Sequence, residues 1–148
     1  MKALICGTKE SSTGRFLGTK LAERGWEVIL YSRSARRCDD GPLHISAADI
    51  TKTCDVEQLL DEAGPLGLVV LSADAGGVFG ELSTLNPDHV QNFLNTKILG
   101  SVNMVQEIIR RGYCAKLVFL CGKNSAKEKD YLLYGVANAA MSSLVGNI

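Results

Sequence analysis

The chain has 148 residues, 46% of them hydrophobic and 22% charged, and its 16 basic and 16 acidic side chains cancel. A chain of this length and apolar content can bury one sizeable core, so a single domain over residues 1–148 is expected. Zero net charge gives no field that would draw it to nucleic acid or an anionic membrane, which leaves a small molecule as the default partner. The five cysteines, Cys6, Cys38, Cys54, Cys114 and Cys121, are odd in number and lack the close pairing of a zinc site. They are expected to be reduced and mostly buried, with no metal bound. Met1 leads straight into the short apolar run Ala3–Cys6, with neither the basic start and long apolar core of a leader nor a spanning stretch. A soluble, cytoplasmic protein is the expectation.

In chain order, Ala3 to Cys6 is an apolar run ended by Gly7, and Trp26 to Tyr31 is another ended by Ser32-Arg33-Ser34. Both read as strands buried on two faces. A helix between them starts near Thr13 or Gly14, carries Phe16, Leu17 and Leu21 inward, and stops at Gly25, which can take a left-handed cap. A weak strand at Leu43 to Ala47, a helix from Val56 to Ala63 and a strong strand from Leu66 to Leu71 repeat the alternation. Asn86-Pro87-Asp88 opens a long helix with Val90, Phe93, Ile98, Val102, Val105 and Ile109 at near-helical spacing, ending at Gly112. Lys116 to Cys121 is a fifth strand, residues 122–130 form a polar loop, and Tyr131 to Val145 form a last helix. Strands alternating with helices predict an α/β, doubly wound parallel sheet of about five strands with helices on both faces.

The loop Gly7-Thr8-Lys9-Glu10-Ser11-Ser12-Thr13-Gly14 joins the first strand to a helix N-terminus. Backbone N–H groups and the helix dipole there suit a pyrophosphate, and glycine is needed where phosphate approaches the chain. On its own the loop is also what a plain strand-to-helix turn requires. After the second strand, Arg33 offers a fork of donors that suits phosphate, with Arg36 and Arg37 adding positive field. A solvated basic turn is the alternative. Asp49 follows the third strand and could cap the next helix, as could Thr51 or Asp55.

Taken together these segments resemble the short-chain dehydrogenase/reductase family, whose first loop is usually written T-G-x-x-x-G-x-G. Gly14 matches the third glycine, Ser12 takes the place of the second, and Gly7 matches the first with one residue inserted. The resemblance implies a Rossmann-like fold and a nicotinamide dinucleotide. It assigns Gly7, Lys9, Ser11, Ser12, Thr13 and Gly14 to the pyrophosphate, and Ser32, Arg33 and Ser34 to the adenosine ribose, where Arg33 favours NADP(H) over NAD(H). Asp49 and Ile50 are implied to meet the adenine. Ala73-Asp74-Ala75-Gly76 resembles the family's N-N-A-G segment beside the cofactor ribose, without its asparagines.

The family reduces a ketone by hydride transfer while a tyrosine delivers the proton, and a nearby cation favours the ionised phenol. That cation is usually a lysine four residues after the tyrosine. Here Tyr134 is followed at that spacing by Asn138, and Lys97 stands in the long helix where the family has asparagine. This exchange resembles the ketoreductase domains of polyketide and fatty-acid synthases. It implies Tyr134 as proton donor, Lys97 as its electrostatic partner and Asn138 on the ribose or a relay water. Cys121 occupies the place of the family's serine, and a thiol is a weaker donor than a hydroxyl. Ser125 or Asn124 could substitute. The family continues with further strands and a substrate cover that Ile148 precedes, so the C-terminal strands of the full fold are expected to be lacking. Two functions follow. The first is an NADP(H)-dependent carbonyl reductase acting on a small carbonyl compound, with a homo-oligomer expected. The second is a noncatalytic nucleotide-binding sensor, scaffold or partner subunit.

Overall fold

The computed structural model describes residues 1–73, 78–122 and 131–148. The first strand, β1 (Lys2–Cys6), leads to α1 (Thr13–Ala22) and then β2 (Glu27–Ser32). A hairpin of β3 (Cys38–Asp40) and β4 (Leu43–Ala47) follows, then α2 (Thr53–Ala63) and β5 (Leu68–Leu71). Beyond a 3-10 turn at Leu82–Thr84 come α3 (Pro87–Leu94), a π-helical turn (Asn95–Leu99), α4 (Gly100–Arg110), β6 (Lys116–Phe119) and α5 (Leu132–Val145).

The sheet order is β3-β4-β2-β1-β5-β6, and every pairing is parallel except β3 with β4. The five parallel strands are those the alternation predicts. The three-residue β3 is additional, and its exposed Cys-Asp-Asp sequence carries no apolar signal that would announce it. Strand side chains alternate between faces, so the unbroken apolar runs supply two cores at once. Leu4, Ile29, Tyr31, Val69 and Leu71 pack with Met104 and Ile108 on the side of α2 and α4. Ala3, Ile5, Val28, Leu30 and Val70 pack with Leu17 and Leu21 of α1 on the other. A third cluster of Val78, Phe93, Leu133 and Ala137, with Tyr134 against it, ties α3 to α5.

Two helix starts have clear chemical causes. The Ser12 hydroxyl accepts a hydrogen bond from the Arg15 N–H at 3.1 Å, capping α1. Asn86 does the same for α3, accepting from the N–H groups of Asp88 and His89 at 2.9 and 3.2 Å, with Pro87 in the first turn, where its missing N–H costs nothing.

Two expectations need correction. Phe16 is 65% exposed rather than inward. The face of α1 against the sheet is the stripe Gly14, Leu17, Gly18 and Leu21, and Phe16 lies off it. The helix sits so close that a Cβ on Gly14 would stand 1.9 Å from the Cys6 carbonyl oxygen. The cysteines are not mostly buried: Cys6 is half-buried and Cys38, Cys54, Cys114 and Cys121 are exposed, because the latter four lie at or beyond element ends, outside the clusters. The long helix runs without a gap from Pro87 to Arg110, as expected, but Asn95–Leu99 is wound as a π turn. That turn places the adjacent residues Thr96 and Lys97 both inward, at 5% and 7% exposure.

Candidate functional site

Chain order reverses at β1, which runs on to β2 and β4 on one side while β5 and β6 lie on the other. In open α/β sheets the crevice beyond the strand ends at such a point is where ligands bind. A cleft of about 890 Å³ lies there. One end is formed by Gly7, Thr8, Lys9, Ser12, Thr13 and Gly14, with Ser32, Arg33 and Ser34 beside them; Lys97, Cys121 and Tyr134 line the other end.

The glycine-turn end is stiffened from within. Gly7 takes a positive φ of 115°, which a residue with a Cβ rarely adopts, and its N–H donates to the Tyr31 carbonyl at 2.9 Å. The Ser12 hydroxyl donates to the Lys9 carbonyl at 2.7 Å, closing the inserted turn on itself. Thr8 and Ser32 share a hydroxyl–hydroxyl hydrogen bond of 2.9 Å, which fastens the loop to the end of β2. Arg15 ties the same loop from outside, donating to the Thr8 carbonyl at 3.3 Å and pairing with Asp40 of the β3–β4 hairpin. Arg33 lies at the cleft mouth and donates to the Asn92 side chain of α3 at 3.1 Å. Arg37 instead turns to Glu62 of α2, 2.6 Å away.

A smaller chamber of about 70 Å³ adjoins the cleft, and Cys6, Ser32 and Arg33 line both spaces. Asp49, Ile50 and Ala73 reach this chamber rather than the main cleft. The Asp49 Oδ1 accepts from the Thr51 N–H at 3.1 Å and the Thr51 hydroxyl at 2.8 Å, while the Asp49 N–H donates to Asp55 at 2.9 Å. The Asp49 side chain thus shapes its own turn. Ser11 is exposed on the loop and lines neither space. Asp74, Ala75, Gly76, Asn124 and Ser125 lie outside the described residues.

At the other end, α3, the π turn and α5 set the side chains. Tyr134 packs against Phe93 and Phe79, with ring centres 4.8 and 5.4 Å away, the Phe79 ring nearly parallel to it. Lys97 enters from the π turn, whose carbonyl at Lys97 accepts the Ser101 hydroxyl at 2.7 Å. The turn can approach the β4–α2 connection because Gly100 follows: a Cβ there would meet Ile50 at 2.5 Å. The Asn103 amide then donates to the Ile50 carbonyl at 2.9 Å, locking α4 over the β4–α2 connection. Asn138 does not line the cleft; its amide donates to the Gly122 carbonyl at 2.8 Å, holding the residue after Cys121.

Sequence reasoning missed Cys6, Thr8, Tyr31, Ser72 and Thr96 as residues bordering these spaces. Burial pushes the Cys6 thiol up from its usual value, and burial also pushes the Tyr31 phenol well above the usual range. Both are therefore neutral near pH 7. The Ser72 hydroxyl donates to the Cys6 carbonyl at 2.8 Å, linking β5 to β1 at the crevice. The alternation of polar residues with apolar ones at strand ends was the available signal, and it is too common to single them out.

No family model matches the chain, and no curated protein matches it in sequence. Its fold is that of the short-chain dehydrogenases/reductases. A short-chain dehydrogenase/reductase from Vibrio parahaemolyticus superposes with a TM-score of 0.82 at 19% identity, over 99% of this chain and 75% of that one. The closed form of a serine dehydrogenase complexed with NADP+ gives 0.86 at 16% identity, over 99% of this chain and 64% of that one. Serine dehydrogenase from Escherichia coli gives 0.85 at 17% identity, over 99% and 73%. The chain therefore spans roughly two thirds to three quarters of these structures. Among the described residues no helix is long and apolar enough to cross a membrane.

Proposed function

We propose that the chain binds NADP(H) as a member of the short-chain dehydrogenase/reductase family and reduces a small carbonyl compound. The observation that carries this reading is that Lys97 and Tyr134, from separate helices, line the same cleft as the Gly7–Gly14 turn. The start of α1 suits a pyrophosphate, because the first N–H groups of a helix and its dipole favour negative charge. Arg33 and Lys9 provide cations for a 2′-phosphate, and Asp49, Ile50 and Ala73 suit the adenosine. Asp74, Ala75 and Gly76 complete that set on the family pattern. NADPH, when bound, supplies the hydride.

On this reading the chain's own residues handle the proton. Tyr134 delivers it to the carbonyl oxygen, and the buried Lys97 amine favours the ionised phenol that remains. Asn138 acts by holding the Gly122 carbonyl, and so the strand end that carries Cys121. The exposed Cys121 thiol is a weaker hydrogen-bond donor than a hydroxyl, and it favours a second reading, a noncatalytic nucleotide-binding subunit. Equilibrium titration with NADPH and NADH, followed by turnover on a panel of small ketones, separates the two. Saturable NADPH binding with turnover supports the reductase, and binding without turnover supports the second reading.

The chain is further proposed to associate with its own copies through α4 and α5. Both helices leave apolar side chains in solvent, Ile109 at 61%, Val136 at 49% and Val145 at 48% exposure. Light scattering at tens of micromolar is expected to give at least a dimer; a monomer would remove this part of the proposal.

A further inference from the structure

The edge of the sheet beyond β4 is formed by a run whose charge order is complementary to its own reverse. Residues 36–40 are Arg-Arg-Cys-Asp-Asp, all exposed, and the last three form β3, the end strand of the sheet. Its outer side carries no further strand among the described residues. Register fixes where the side chains stand. Cys38 lies opposite Ile45 and Asp40 opposite Leu43, which packs into the core on the α1 side. Asp40 accordingly pairs with Arg15 of α1. Asp39 lies opposite His44, 2.6 Å from its ring, on the other side of the sheet, where Arg37 reaches Glu62 of α2.

A short charged strand ordinarily guards a sheet edge against pairing. The order of these charges makes one exception, for a second copy of the chain. When two copies of residues 36–40 lie antiparallel about Cys38, Arg36 faces Asp40 and Arg37 faces Asp39, each pair occurring twice across the two-fold axis. Sliding by two residues sets Asp39 against Asp39 or Arg37 against Arg37, and a parallel alignment in register sets like charges together throughout. Asp39 keeps 80% and Asp40 52% of its side chain exposed, so each carboxylate has room for a second cation beside its present partner. Backbone hydrogen bonding selects the same register. The two-residue turn Gly41-Pro42, with Gly41 at a φ of 58°, closes the hairpin at the pair Asp40–Leu43, which leaves the Asp39 N–H and C=O directed to the free edge. They meet the backbone of Arg37 in the second copy, and Cys38 falls at the non-hydrogen-bonded position between, where opposed Cα atoms stand about 4.5 Å apart. We propose that residues 36–40 pair antiparallel with the same residues of a second copy, continuing the sheet across a two-fold axis. This surface is separate from α4 and α5, and it stands independently of the nucleotide reading.

The pairing brings two Cys38 thiols into disulfide range, since bridged cysteines have Cα atoms about 4.4–6.8 Å apart. The test treats the reduced chain, at tens of micromolar, with diamide, which takes the two hydrogens of a thiol pair as the disulfide forms, and locates the bonds by peptide mass. Cys54, Cys114 and Cys121 are exposed as well and serve as internal controls. Linkage between two Cys38 residues is expected to outrun linkage through those three by about tenfold, because pairing raises the effective concentration of that thiol alone. Raising salt from about 0.05 to about 0.5 M slows it about threefold by screening the exposed charge pairs. Arg36→Asp/Arg37→Asp and Asp39→Arg/Asp40→Arg each bring like charges together, and each variant alone links about tenfold more slowly than the parent. An equimolar mixture of the two regains the parental rate as a mixed dimer, distinguished by mass. Linkage at Cys38 no faster than at the other thiols overturns the proposal, as does a mixture that fails to recover while both variants keep the parental circular dichroism. Should either exchange unfold the chain, the salt response of the parent decides alone, and a rate indifferent to salt overturns the pairing.

Discussion

The two ends of the cleft are held by different physics. The glycine-turn end is local: Gly7, Ser12 and Gly14 lie within one loop, and Ser12 alone closes the turn and caps α1. Backbone proximity sets its shape, with Gly14 against the Cys6 carbonyl. The Tyr134 end is assembled at long range, from a lysine on a π turn, a thiol after β6 and a tyrosine packed between Phe93 and Phe79. Pairwise hydrogen bonds govern the first end, and helix packing governs the second. The first should therefore fail by steric strain and the second by loss of chemistry in an intact fold.

The largest effect expected is steric. Gly14→Ala drives a Cβ into the Cys6 carbonyl, and overpacking of this kind costs about 3 kcal/mol, read as a lower urea midpoint. An unchanged midpoint would show that α1 is free to move away, and the contrast between the ends would weaken. Lys97→Met tests the other end. With the fold retained, it is expected to lower the rate of ketone reduction about 100-fold, equivalent to about 2.7 kcal/mol, and to move the pH dependence of the rate upward. A rate profile identical to the parent's would remove Lys97 from the chemistry.

Arg33→Asp comes next. It replaces a phosphate partner by a carboxylate and is expected to cost NADPH about 2 kcal/mol, roughly 30-fold in affinity, while favouring NADH. Equal losses for both nucleotides would assign Arg33 to its contact with Asn92 instead. The smallest effect is on stability in alkali. Burial raises the Cys6 thiol above its usual 9.0, so the folded state holds that proton more tightly than the unfolded chain. The resulting stability is fully present below about pH 9 and is lost as pH rises through the folded value, which Tyr31 reinforces at still higher pH. The urea midpoint should fall as pH rises above about 9, and Cys6→Ala should flatten the early part of the decline.

The sequence made the parallel strands legible because each is an apolar run bounded by glycine or polar residues. It also made the start of α1 and the cap of α3 legible, since capping uses residues a few positions apart. The inward placement of Phe16 was misread because apolar character alone does not reveal that glycines form the contact stripe of α1. The π turn was invisible, for it depends on the fit of Gly100 against Ile50, far away in the chain. Lys97 was nonetheless readable through its resemblance to an exchanged pair, whereas Tyr31 and Thr96 gave no motif and emerge only from the cavity they share.

The most direct test of the central claim is an equilibrium titration of the unmodified chain with NADPH and, in parallel, NADH. The account predicts saturable binding of both, with NADPH tighter by about tenfold or more through charge-assisted contacts to its 2′-phosphate. Equal affinities, or no binding of either nucleotide, would contradict it.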